Sequence, residues 1–180
     1  MDNLALAFKA AVVGRSCRVQ RREADWAFDL RENVGLAVGC HWRLISADGI
    51  QLSDEDDGQG FGLPDPVDAE TKANDLLAGA TVFSATVDPV TADLCLRFSN
   101  GLRLDLLNNS SGYEGWHGHF NHDGNAVSII AMGGRRPRLL LSVGWVESSP
   151  HPAPYRQPQK YSAPAGHWEA RRRAVMLAGI

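Results

Sequence analysis

The chain is poor in cysteine. Cys17, Cys40 and Cys95 lie far apart, are odd in number and form no C-x-x-C pair. A zinc ribbon or a thioredoxin-type redox site is therefore unsupported, and reduced core cysteines of a cytosolic protein fit better than a disulfide framework. Long apolar runs are missing too, since none approaches the roughly 20 residues that span a bilayer. The opening MDNLALAFKAAVVG has an acid at position 2 and no basic stretch ahead of its short apolar run, unlike a secretory signal. The expectation is a soluble cytoplasmic protein without membrane contact. Net charge is small, −3 over 180 residues, which argues against a nucleic-acid coat.

One local absence stands out. Between positions 44 and 71 there is no Lys or Arg, yet eight acids occur: Asp48, Asp54, Glu55, Asp56, Asp57, Asp65, Asp68 and Glu70. The end of the chain has the opposite sign, with Arg156, Lys160, Arg171, Arg172 and Arg173 against Glu169 alone after Pro150. Prolines 150, 152, 154, 158 and 164 deny that segment the donors a sheet interior needs. They predict a Pro-rich basic tail over 148–180. Its apolar residues Trp168, Val175, Met176 and Leu177 can dock on the domain or on a second copy of the chain, forming a homodimer.

Between these features the chain has regular periodicity. Asp2 or Asn3 can cap a first helix whose apolar side is Leu4, Leu6, Ala7, Ala10 and Ala11, with Gly14 as its stop. Strands are predicted over 16–21, 26–30 and 35–45. In the second, Trp26, Phe28 and Leu30 alternate with Ala27 and Asp29, the period of a half-buried strand. Asp68 opens a second helix, with Ala69, Ala73, Leu76 and Leu77 on one side and Gly79 as the stop. Strands over 81–87, 92–98 and 102–107 follow, the last two joined by the turn Ser99-Asn100-Gly101. Further strands are predicted over 113–120, 126–132 and 138–146. The sum is an α+β domain over 1–147, an antiparallel sheet with two helices. It divides into pseudo-repeated α-β-β-β units at 4–47 and 68–132, joined by an acidic linker, 48–67.

The candidate chemistry centres on WHGHFNHDG, which places His117, His119 and His122 within six residues. Two imidazoles at i, i+2 on a strand plus one from a neighbouring turn can hold a divalent ion. The order approaches the H-x-H-x-D-H motif of metallo-β-lactamase-like hydrolases, so a metal-dependent hydrolase is the alternative function. Asn121 stands where that motif has its Asp, however, and the carboxylate that helps build the second metal site is missing. No G-x-S-x-G elbow or Walker loop occurs, and Gly58-Gln59-Gly60-Phe61-Gly62 lies among acids that would repel phosphate. Ser53, Glu55, Asp57 and Gly58 fit the first half of an EF-hand loop, but Pro64 occupies the place of its bidentate Glu. No cofactor is expected. The acidic segment reads as a surface for a basic protein, with Asp54, Glu55, Asp56 and Asp57 as its charge and Phe61 and Leu63 as apolar anchors.

The residues Phe61, Gly62, Leu63, Pro64, Pro66, Asp68 and Ala69, then Leu77 and Gly79, then Phe98, Asn100, Gly101 and Leu102, then Ser110, Ser111, Gly112, Tyr113, Glu114 and Trp116 form a longer pattern. It resembles a family of small bacterial proteins of unknown function carrying F-G-L-P-x-P-x-D-A and S-S-G-Y-E-x-W, over about 61–134. The E-x-W ending is similar to that of immunity proteins which neutralise polymorphic toxins. The resemblance implies a compact α+β fold, a cognate toxin or other basic protein as partner, and a partner-facing Glu114. It carries no catalytic residue.

Overall fold

The computed structural model describes residues 2–133 and 138–143, and the expected tail 148–180 lies outside them. Helix α1 spans Asp2–Val12. Phe8 and Val12, one turn apart, are fully buried, with Ala7 and Ala11 packed beside them. The expected apolar side through Leu6 and Ala10 is displaced, since Leu6 remains 60% exposed. Phe8 brings the largest apolar area on the helix and so decides which face turns inward. Gly14, at a φ of 85°, ends the helix where a side chain would be strained.

Strands β1 (Arg18–Arg21), β2 (Trp26–Asp29) and β3 (Gly35–Val38) form an antiparallel meander. The run 35–45, expected as one strand, is two. Strand β4 (His41–Ser46) begins in a different sheet, and the N–H groups of Gly39 and Cys40 both donate to the Gly115 carbonyl at 2.9 Å at the crossing. Leu36, Val38, Cys40, Trp42 and Leu44 are all buried at every second position, so the inward-facing series runs straight through the break. The linker expected over 48–67 is also corrected. It opens with strand β5 (Gly49–Ser53), whose Leu52 lies opposite Leu44 in the core, and a short 3-10 turn follows over Asp54–Asp56.

Helix α2 (Ala69–Leu76) is capped by the Asp68 carboxylate, which accepts from Thr71 N. Ala69, Ala73 and Leu77 are buried. Then come β6 (Val82–Val87), β7 (Leu94–Phe98), β8 (Arg103–Leu107), β9 (Glu114–His122), β10 (Asn125–Met132) and β11 (Arg138–Val143). The strands divide into two antiparallel sheets, ordered β1-β2-β3-β9-β10-β11 and β5-β4-β8-β7-β6. This is an α+β fold, with two sheets in place of the single sheet expected. Among the described residues no helix is long and apolar enough to cross a membrane.

The two halves interlock. Each begins with a helix, a left-handed Gly (Gly14 or Gly79) and a three-stranded meander, and each then gives a hairpin to the other half's sheet. The registers correspond. One sheet carries the row Val19, Phe28, Leu36, Gly118 and Ile129; the other carries Ala85, Leu96, Leu104, Leu44 and Leu52. Every member of both rows is buried. A bridge between Ser16 and Thr81, each two residues past its helix-ending Gly, ties the halves together. The inner faces meet in one core, where Trp42 packs edge-on against Trp26 and Phe28 of the other sheet at 5.1 and 5.5 Å between ring centroids.

Candidate functional site

The histidines of β9 do not form the expected triad. His117 and His119 project from the outer face, because Trp116, Gly118 and Phe120 occupy the inner one. The turn is tighter than expected. Only Asp123 and Gly124, at φ of 50° and 77°, connect β9 to β10, so His122 remains in the strand, opposite Asn125. His122 lies at odd offsets from both, five positions past His117 and three past His119, so pleating sends it to the opposite side. His117 Nδ1 lies 3.8 Å from Glu114, and His122 Nε2 3.5 Å from Asp123. The His119 ring lies over Gly35, where an added Cβ would stand 2.7 Å from its Cε1. Partial burial there, with His117 as a neighbour, lowers the His119 pKa. Burial also pushes the Cys17 and Cys40 thiols up to about 12, and raises that of Cys95.

The acidic segment folds into a compact turn whose carboxylates are mostly engaged. Asp56 accepts from Ser53 N at 2.7 Å and from Ser53 Oγ at 3.2 Å, closing a capping box. Asp54 accepts from Trp42 N at 3.0 Å through one oxygen, while the other lies 2.8 Å from His41 Nδ1. Asp57 accepts from Ala69 N and pairs with Arg21, whose guanidinium also reaches Asp68 at 3.0 Å. Glu70 accepts from Arg21 N at 2.9 Å. Hence the segment that lacks a base in sequence receives one from β1. The Asp57 hydrogen bond is the largest influence holding the Arg21 guanidinium protonated, and Thr71 above all lowers the Asp68 pKa. Asp48, Glu55 and Asp65 remain exposed.

Between this turn and α2, residues 58–67 form a finger. Its base is a two-bond ladder, Gly58 N to Val67 O at 2.8 Å and Val67 N to Gln59 O at 2.9 Å. Val67 packs against the core, and Pro64 and Pro66 limit the backbone in between. Gly58 and Gly62 both take φ of 75°. Phe61 is fully exposed, and Leu63 is half exposed. The structure thus brings Asp54, Glu55, Asp56 and Asp57 to the root of the finger that carries Phe61 and Leu63.

Glu114 is not part of this group. It begins β9, exposed, beside His117. The SSGYEGW segment around it is a corner: Ser110 Oγ accepts from Gly112 N and Tyr113 N, and Gly115 O takes the two donors from the β3–β4 crossing. A Cβ on Gly115 would stand 2.3 Å from Asn108 Oδ1, so any larger residue there would displace the Asn108 side chain. Trp116 is buried, whereas Tyr113 is 71% exposed. Sequence reasoning missed Arg21 and His41. His41 stands directly before Trp42, and the strand alternation that buries Trp42 was the available sign that His41 faces out. No family model, curated protein or solved structure matches this chain.

Proposed function

We propose that this chain is a protein-binding module that engages its partner through the 58–67 finger, and that its role is that of an immunity protein neutralising a toxin. The observation that carries the reading is Phe61, wholly in solvent at the tip of a loop with a hydrogen-bonded base. Water gains nothing from a displayed phenyl ring, and an intramolecular role would bury it. An aromatic side chain on a pre-ordered loop loses little further entropy on binding, as an interface anchor requires. Leu63 extends the apolar patch, and Glu55 and Asp65 supply exposed negative charge in the same segment. That charge favours a basic partner and accelerates encounter. Toxins that attack nucleic acids carry basic surfaces for their own substrate, which makes them fitting targets for such a finger.

The test is binding and growth rescue with the product of the reading frame adjacent to this chain's own. Phe61→Ala is expected to weaken the complex by about 30-fold or more, as hot-spot truncations do, and to abolish rescue of cells making the toxin. Asp65→Asn is expected to slow association and reduce its salt dependence, with little change in dissociation. A Phe61→Ala variant with unaltered affinity and rescue would sink the finger as the contact. Nothing in the described residues favours the hydrolase reading, because His122 lies on the opposite side of the strand from His117 and His119.

A further inference from the structure

We propose that His41, Asp54 and Glu55 form a binding site for a first-row divalent cation such as zinc, which does not rest on the protein-binding reading although Glu55 takes part in both. Among the described residues this is the group whose His and carboxylate ligand atoms all come within 4.8 Å of one another. The three side chains arrive from two elements, His41 from β4 and the acids from the turn after β5. His41 Nδ1 lies 2.8 Å from Asp54 Oδ2 and 3.3 Å from Glu55 Oε1. Metal–ligand bonds of roughly 2.0–2.2 Å put adjacent ligand atoms roughly 3.3–3.6 Å apart in a tetrahedral shell and roughly 2.8–3.1 Å apart in an octahedral one. The two separations from His41 match those of ligands sharing an ion, and a rotation of the exposed Glu55 side chain would bring the third ligand in.

The surroundings hold two of the ligands in place. Trp42 N donates to Asp54 Oδ1, which turns Oδ2 toward His41, and Trp42 itself is fully buried, so β4 is firmly seated. The Ser53–Asp56 capping box fixes the turn that presents Asp54 and Glu55. Glu55 is 74% exposed on its side chain and free to swing onto an ion. Charge points the same way. Among the described residues no Lys or Arg bonds to Asp54 or Glu55, whereas Asp57 and Asp68 have Arg21. One imidazole and two carboxylates, with a face open to water, suit zinc or a similar ion better than calcium, which prefers an all-oxygen shell.

The test uses the untagged full chain, zinc chloride as the probe, and calorimetric titration with a parallel thermal melt. One saturable equivalent and a raised Tm are expected for the native protein, because an ion that binds only the folded state stabilises it. Glu55→Gln and His41→Gln should each lose the zinc-induced rise in Tm while melting normally without zinc. The His117→Ala/His119→Ala double variant should keep both the equivalent and the rise. Should His41→Gln fail to fold, Glu55→Gln decides alone, its side chain being exposed and making no backbone hydrogen bond among the described residues. Absence of saturable binding, survival of it in Glu55→Gln, displacement of zinc by equal calcium, or its loss in the His117/His119 variant would each overturn the proposal.

Discussion

The two halves of the molecule share a plan but fill matching positions differently. In the first sheet the central row passes through Gly118, and in the second the matching position is Leu44. Counted back from the helix-ending glycines Gly14 and Gly79, Phe8 of α1 matches Ala73 of α2, and all four residues are buried. The large residue is on the helix in one half and on the strand in the other. A Cβ on Gly118 would lie 3.0 Å from Phe8 Cε2 and 3.0 Å from Ile129 Cγ2, so the phenyl ring takes the space that a strand side chain would otherwise use. Phe8 also packs against Trp116 and Phe120, at 5.9 and 5.7 Å between centroids. Each half therefore needs a similar core volume at this point, supplied by the helix in one and by the strand in the other.

The sharpest way to break that balance is Phe8→Ala. With Gly118 opposite, nothing on the strand can fill the void, and the expected loss is about 3–5 kcal/mol, read from urea denaturation. Gly118→Leu in the native background should also destabilise, through overpacking against Phe8 and Leu36. Combined, the two changes are expected to recover part of the loss, since the pair would then resemble Ala73 with Leu44. Strict additivity of the two losses would show that the halves are not equivalent at this position.

A second difference lies at the sheet edges. Strand β1 is the edge of its sheet, and α2 covers it with side chains in place of a strand. Asn74 Oδ1 accepts from Val19 N at 2.9 Å and its amide donates to Val19 O at 2.8 Å, while Glu70 accepts from Arg21 N. The matching positions on α1 are Lys9 and Ala5, which cannot imitate that pairing, and β6 displays Phe83 at 72% exposure. Asn74→Ala is expected to cost about 2 kcal/mol, because two backbone groups of a half-buried strand lose their partners at once. It should also raise amide exchange at Val19. Lys9→Ala should do neither, and an equal effect from both would remove the distinction between the two edges.

How much of this was legible in the sequence follows from which forces are local. Alternation located the strands of both meanders, and Asp68 and Gly79 marked the ends of α2, because capping and pleating are written in neighbouring residues. The break at Gly39-Cys40 was hidden, since Leu36 through Leu44 keep a single alternation while the backbone changes sheet. Strand β5 was hidden because an acidic neighbourhood outweighed its two apolar residues, Ile50 and Leu52. The acidic segment looked like free charge because Arg21, His41 and the Trp42 N–H come from elsewhere in the chain. For that reason, neutralising Asp54, Asp56 and Asp57 together would remove structural acceptors as well as charge. The histidine triad failed on parity: a turn two residues shorter than expected left His122 in the strand.

The smallest difference between the halves is a single hydrogen bond. Trp116 and Trp42 hold matching places, paired with Val38 and Leu106 in their respective registers, and both are buried. Trp116 Nε1 donates to Ala92 O at 2.8 Å, across to the loop between β6 and β7 of the other sheet. Trp42 Nε1 is buried with no hydrogen-bond partner among the described residues. Replacing each with Phe removes similar volume, so the cavity costs should largely cancel in the comparison. What remains is the indole hydrogen. At Trp116 its loss also strands the Ala92 carbonyl, whereas at Trp42 it relieves a donor that folding had stripped of water. Trp116→Phe is therefore expected to destabilise by about 1 kcal/mol more than Trp42→Phe in matched urea melts. Equal losses would mean that Trp42 Nε1 has a partner in solution, such as a bridging water, and that the two halves are more alike in their polar contacts than in their packing.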